Sequence, residues 1–194
     1  NQIGGRGLPG LIVFAAVLFF TGISALSSTS LSREGSGFAL TLLFPVQGRD
    51  HLKAKTLFHL LFFVPALVID IAVLAILFRL PWSDLLYLLP GGMAFVFLSC
   101  LLGLEVDVKK PLFSWNHPQQ AMKQNMNTLL GMGINLVAIL VLLGVTGGSF
   151  LLGLPALFSG ILTTLLMIPL DILMYRRLAR IADRSYTAGF ELSL

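Results

Sequence analysis

The chain alternates long apolar runs with short polar segments, and the apolar runs set its architecture. Three stretches contain no Asp, Glu, Lys or Arg: Gly7 to Ser32, Leu85 to Leu104, and Gln124 to Leu170. A helix crosses the hydrocarbon core with about 20 residues at about 1.5 Å each, so the last stretch is long enough for two crossings with a turn between them. With a further apolar run after Lys55, the pattern predicts an all-α, polytopic membrane protein of about five transmembrane helices. The expected spans are residues 11–28, 56–78, 85–104, 128–145 and 152–175. The whole of 1–194 reads as one transmembrane domain. Residues Leu11 to Ser30 resemble a signal peptide only superficially, because the uncharged run is too long and its downstream flank is basic rather than a cleavage site.

Local signals place the breaks. Pro81 in Arg79-Leu80-Pro81-Trp82-Ser83-Asp84 breaks the chain between the second and third spans, with Trp82 and Tyr87 at headgroup level. Pro118 suits a first helical turn capped by Asn116 or His117. Met122, Met126, Leu129, Leu130 and Gly133 continue its spacing, which predicts a surface helix running directly into the fourth span. Gly144, Thr146, Gly147, Gly148 and Ser149 are the expected turn before the fifth span, and a basic tail, 176–194, closes the chain.

Composition agrees with a lipid solvent. The chain is 56% hydrophobic and 11% charged, with mean hydropathy +0.90, whereas a soluble domain carries about 25% charge. The net charge is +4, and its distribution explains it better than nucleic acid does. Five spans put segments 32–55, 105–127 and 176–194 on one side. There lie 11 of the basic residues (Arg33, Arg49, Lys53, Lys55, Lys109, Lys110, Lys123, Arg176, Arg177, Arg180 and Arg184), against 2, Arg6 and Arg79, on the other. The positive-inside rule makes that side cytoplasmic, C-terminus included, in a cell membrane.

Candidate chemistry is sparse. No Gly-Lys pair of a phosphate-binding loop occurs, so a driving ATPase would have to be another chain. No cofactor or metal site is expected: His51, His59 and His117 lack partners at ligand spacing. Cys100 reads as a small buried hydrophobe. Glu105 and Asp107 read as a solvated helix end. Two acids fall inside spans. Asp171, about 7 Å from the cytoplasmic side, is expected to meet the basic tail, and Asp70, about 21 Å deep, faces an inter-subunit cavity or the outer headgroups.

The first polar segment is the most informative. Ser32-Arg33-Glu34-Gly35 precedes Phe38-Ala39-Leu40-Thr41-Leu42-Leu43, then Pro45-Val46 and Lys53-Ala54-Lys55. A short helix with Phe38 and Leu42 on one face, stopped by Pro45, suits either docking to a soluble partner or lying in the lipid interface. Arg-Glu-Gly, Pro-Val and the Lys opening the next span resemble the first cytoplasmic loop of type-2 ABC transporter permeases. Asp107-Val-Lys-Lys-Pro111-Leu112-Phe113-Ser114-Trp115-Asn116, with Lys123 beyond, is similar to the second loop of a bacterial branch of that family.

The resemblance covers about residues 10–175. It implies that Arg33, Glu34, Gly35, Phe38, Leu42, Pro45 and Lys55 belong to an ATPase-coupling loop. Asp107, Pro111, Trp115, Asn116 and Lys123 fall on the second loop's pattern. The implied function is the membrane-spanning subunit of an exporter working by alternating access. Its partners would be an ABC ATPase subunit, a second permease half or homodimer partner, and the bilayer; the chain would not itself be an enzyme. The family core has six spans, so the first is expected to precede Asn1. Two other readings remain open: a proton-coupled secondary transporter fragment using Asp70, and a membrane-embedded enzyme or assembly protein using His117 with Asp107.

Overall fold

A computed structural model describes residues 7–44, 46–122 and 125–187, except the side chains of Leu42, Pro118, Met122 and Thr187. The expected residues Pro45 and Lys123, and the Leu42 side chain, lie outside the described residues. The chain is an all-α membrane-embedded bundle. Its helices are α1 (Leu8–Gly22), α2 (Phe38–Leu42), α3 (Gly48–Leu77), α4 (Leu85–Lys109), α5 (Pro118–Met122), α6 (Met126–Leu151) and α7 (Ala156–Thr187). Short 3-10 turns occupy Ser32–Gly37 and Trp82–Asp84. Helices α3, α4, α6 and α7 are long and apolar enough to cross a membrane. Interior Pro65, Pro90 and Pro169 are tolerated in such helices because neighbouring helices and local adjustments re-satisfy the freed backbone groups.

Helix α4 is the axis of the bundle, packed against α1, α3, α6 and α7. Tyr87, Phe95, Leu98, Leu101 and Leu104 on it are fully buried. By contrast α3 keeps a broad apolar face open, including Leu57, Leu61, Ile69, Val73 and Ile76. That is the surface expected of a helix bathed in lipid tails.

Four boundaries differ from the sequence expectation, each for a local reason. The first span ends as helix at Gly22 rather than near Ser28. Beyond it the Ser24 hydroxyl accepts from Leu26 N–H at 3.2 Å, and Thr29 Oγ1 donates to the Ala25 carbonyl at 3.0 Å. Such local bonds compete with the helical ladder. The irregular stretch is sheltered by protein: Ser27, Ser28, Thr29 and Ser30 are buried, against the places on α4 and α6 where Gly103 and Gly131 leave room. Non-helical backbone at membrane depth requires such cover.

The expected glycine turn at 144–149 is helical instead. Thr146 and Ser149 fold their hydroxyls back onto the Leu142 and Thr146 carbonyls, and the turn moves to Gly153, whose φ of 97° suits glycine. The surface helix does not run straight into the fourth span: Asn125 is extended, and its side chain caps α6 by accepting from Asn127 N–H at 2.9 Å. The basic tail is not a tail as far as Thr187, because α7 carries its helix that far.

Candidate functional site

The residues of interest gather at the basic end of the bundle, where the segment before α3 folds over the end of α4. Their hub is Asp107, which is fully buried. This corrects the expectation of a solvated helix end: α4 stays inside the bundle to its last turn, and the chain after α1 closes over it. One carboxylate oxygen accepts from Leu31 N–H at 2.5 Å and Ser32 N–H at 3.1 Å. The other accepts from the Ser32 hydroxyl and from Asn127 Nδ2, the latter at 3.0 Å. The Ser32 hydroxyl also accepts from Leu112 N–H at 2.9 Å, and Trp115 Nε1 donates to the Ser32 carbonyl at 2.8 Å. Asp107 thus ties the two polar segments and the start of α6 into one unit.

Arg33 and Gly35 extend that unit. Arg33 Nη2 donates to the Leu26 carbonyl at 2.7 Å, fastening the irregular stretch after α1. Burial lowers the Arg33 pKa, an effect that Asp107 partly offsets. Gly35 has φ 53° and ψ −138°, a conformation nearly restricted to glycine. A Cβ there would lie 2.7 Å from the Trp115 ring, so the indole packs directly on this backbone.

Glu34 connects the turn to α3. It pairs with Lys55 and with His51 Nε2, the latter at 3.2 Å, and accepts from the Thr41 hydroxyl at 3.1 Å. Burial would raise its pKa, but the bonds and charges of His51 and Lys55 prevail and hold it down to about 2. The sign follows: a carboxyl depressed in the fold stabilises it above the ordinary 4.5, and that contribution is lost as pH falls toward about 2. Thermal unfolding between pH 6 and pH 3 is therefore expected to show a larger loss of stability for the wild type than for Glu34→Gln. Parallel acid profiles for the two proteins would refute the pairing.

Aromatic contacts complete the clamp. Phe38, the first residue of α2, is fully buried and stacks on Phe113 at 4.6 Å between centroids. It also meets Tyr186 of α7 edge-on at 5.5 Å, while the Tyr186 hydroxyl bonds His51 Nδ1. Asp183 accepts from Arg49 N–H at 2.8 Å, capping α3 from α7. Above this base, α2 and the residues after it project Leu40, Leu43 and Phe44, which are 64%, 78% and 66% exposed. A cavity of about 480 Å³ opens beside them, lined by Thr41, Phe44, Val46, Arg49, Asp183 and Tyr186.

The structure therefore joins Arg33, Glu34, Gly35, Phe38, Lys55, Asp107 and Trp115. Pro111 lies half-buried in the connecting loop, and Asn116 is exposed, its N–H donating to Gln120 Oε1 at 2.9 Å. His117 is exposed. Asp70 is distant and exposed on α3. Asp171 is buried, but it does not meet the basic residues that follow it: its Oδ1 has no partner, and Arg177 turns to Glu105 at 2.8 Å. Sequence reasoning missed Ser32, His51, Asn127 and Tyr186 as members of the cluster. Comparison with protein-family models, curated proteins and solved structures finds no significant match.

Proposed function

We propose that this chain is the membrane-spanning permease subunit of an ABC exporter, driven by a separate ATPase and working beside a second permease half or copy. The observation that supports this reading is the exposed apolar knob Leu40–Leu43–Phe44 on a base cross-braced to α3, α4 and α7. Exposed apolar residues on a rigid mount at the basic end suit burial in a groove of a soluble partner. Because Glu34 grips Lys55 and Asp107 grips Leu31 and Ser32, a push on α2 is carried directly into α3 and α4. ATP-driven dimerisation of the partner would in this way rock spanning helices between two arrangements. The residues of this chain transmit force; nucleotide chemistry belongs to the partner.

Co-purification of the full chain with its ATPase in mild detergent tests this. Leu40→Ser/Leu43→Ser/Phe44→Ser removes only exposed apolar surface and is expected to leave the unfolding temperature within a few degrees, yet to release the ATPase. An ATPase that never associates, or that stays bound to the folded triple variant, overturns the reading.

A further inference from the structure

A second cavity, of about 380 Å³, lies away from the α2 knob, between α4, α6 and α7 at the same basic end. Its inner wall is apolar: Leu102 of α4, Leu130 and Ile134 of α6, and Met174 of α7. Leu130 and Ile134 are exposed, so the slot opens sideways from the bundle, where the bilayer lies. Its rim is charged: Lys109, Lys110 and Arg177 surround Glu105.

The charge does not cancel. Glu105 Oε1 takes both Lys109, at 2.5 Å, and Arg177, at 2.8 Å. Lys110 is exposed and has no ion pair among the described residues. Three cations against one carboxylate leave the rim positive.

An apolar slot open to lipid and a positive rim at headgroup depth match a single ligand chemistry. We infer that this cleft holds an anionic glycerophospholipid. Its phosphodiester sits among Lys109, Lys110 and Arg177, and an acyl chain lies along Leu130, Ile134 and Met174. Basic clefts between spanning helices bind anionic headgroups on the same physical grounds. The site does not depend on the permease reading, since none of its residues belongs to the α2 knob.

Native mass spectrometry of the full chain in non-ionic detergent, titrated with phosphatidylglycerol or phosphatidylcholine, tests this. Phosphatidylglycerol is expected to bind at least about fivefold more tightly, since each cation near the headgroup contributes about that factor. Lys110→Gln, which breaks no ion pair, is expected to reduce phosphatidylglycerol binding about fivefold and to leave phosphatidylcholine unchanged. Ile134→Trp, filling the slot, is expected to weaken both lipids. Equal binding of the two lipids by the wild type, or no effect of Lys110→Gln, overturns the assignment. So does displacement of bound phosphatidylglycerol by millimolar inorganic phosphate, which would make the rim a site for the free anion.

Discussion

Asp107→Ala is expected to destabilise the protein by about 4 kcal/mol, the largest effect of any single truncation at the basic end. The side chain is fully buried and accepts four hydrogen bonds from two separate segments, Leu31–Ser32 and the start of α6. Removing it leaves the Leu31 and Ser32 N–H groups with no acceptor, each at a cost of about 1–3 kcal/mol in a dry site. The Ser32 hydroxyl and Asn127 amide keep other bonds, to Leu112 N–H and the Lys110 carbonyl, so their loss is smaller. Asp107→Asn keeps one acceptor oxygen but turns an NH2 group toward donors, and about half the penalty is expected. Thermal unfolding in detergent reads both, with a fall on the order of 10 °C for the alanine variant. An unchanged midpoint for Asp107→Ala would mean that the two polar segments are held together by something else, and the proposed path of force through α4 would lose its anchor.

That hub shows what could and could not be read from the chain. Four of the five expected crossings were legible as helices long and apolar enough to span, because an apolar run of sufficient length has no other stable home than lipid; the first, α1, is a shorter apolar helix of 15 residues. The ends of the crossings were not legible. Gly144, Gly147 and Gly148 look like a turn in water, yet a spanning helix accepts them and breaks only at Gly153. The serines after Gly22 look like the end of a crossing, yet their hydroxyls unwind it early and bury the unwound stretch against α4 and α6.

The site was legible in outline for a different reason. Arg33, Glu34, Gly35, Lys55, Asp107 and Trp115 were singled out through their resemblance to a permease family, and they lie together. Their chemistry was misjudged where local spacing was the only guide. Asp107 two residues from Glu105 looks like a wet helix end, and nothing nearby in sequence reveals that Ser32, 75 residues earlier, would cover it. Ser32, Asn127 and Tyr186 are single polar residues without periodicity, and their roles arise only from contacts that the fold creates. The expected meeting of Asp171 with the basic tail fails for the same reason: Arg177 follows it closely in sequence, but the helix turns that side chain toward Glu105.

Gly35→Ala separates backbone strain from packing and tests the lever itself. The backbone at φ 53° and ψ −138° is one that side chains with a Cβ rarely adopt, at a cost of about 1–3 kcal/mol. The added methyl would also press on the Trp115 ring, adding about 1 kcal/mol or more of overpacking. A total near 3 kcal/mol is therefore expected from one methyl group. Trp115→Ala in the same chain removes the clash but not the strain, so the double variant is expected to be less destabilised than the sum of the single changes. Additive losses would show that the indole does not rest on Gly35. The functional consequence follows from position. Gly35 lies between Glu34, which grips α3, and Phe38, which seats α2, so relaxing its backbone lets the knob tilt without moving the helices. Under the permease function proposed above, and at a temperature where Gly35→Ala remains folded, an ATPase is expected still to bind through Leu40, Leu43 and Phe44, while ATP-driven transport falls at least tenfold. Transport at the wild-type rate with Gly35→Ala would show that no rigid turn at this point is needed to carry the stroke.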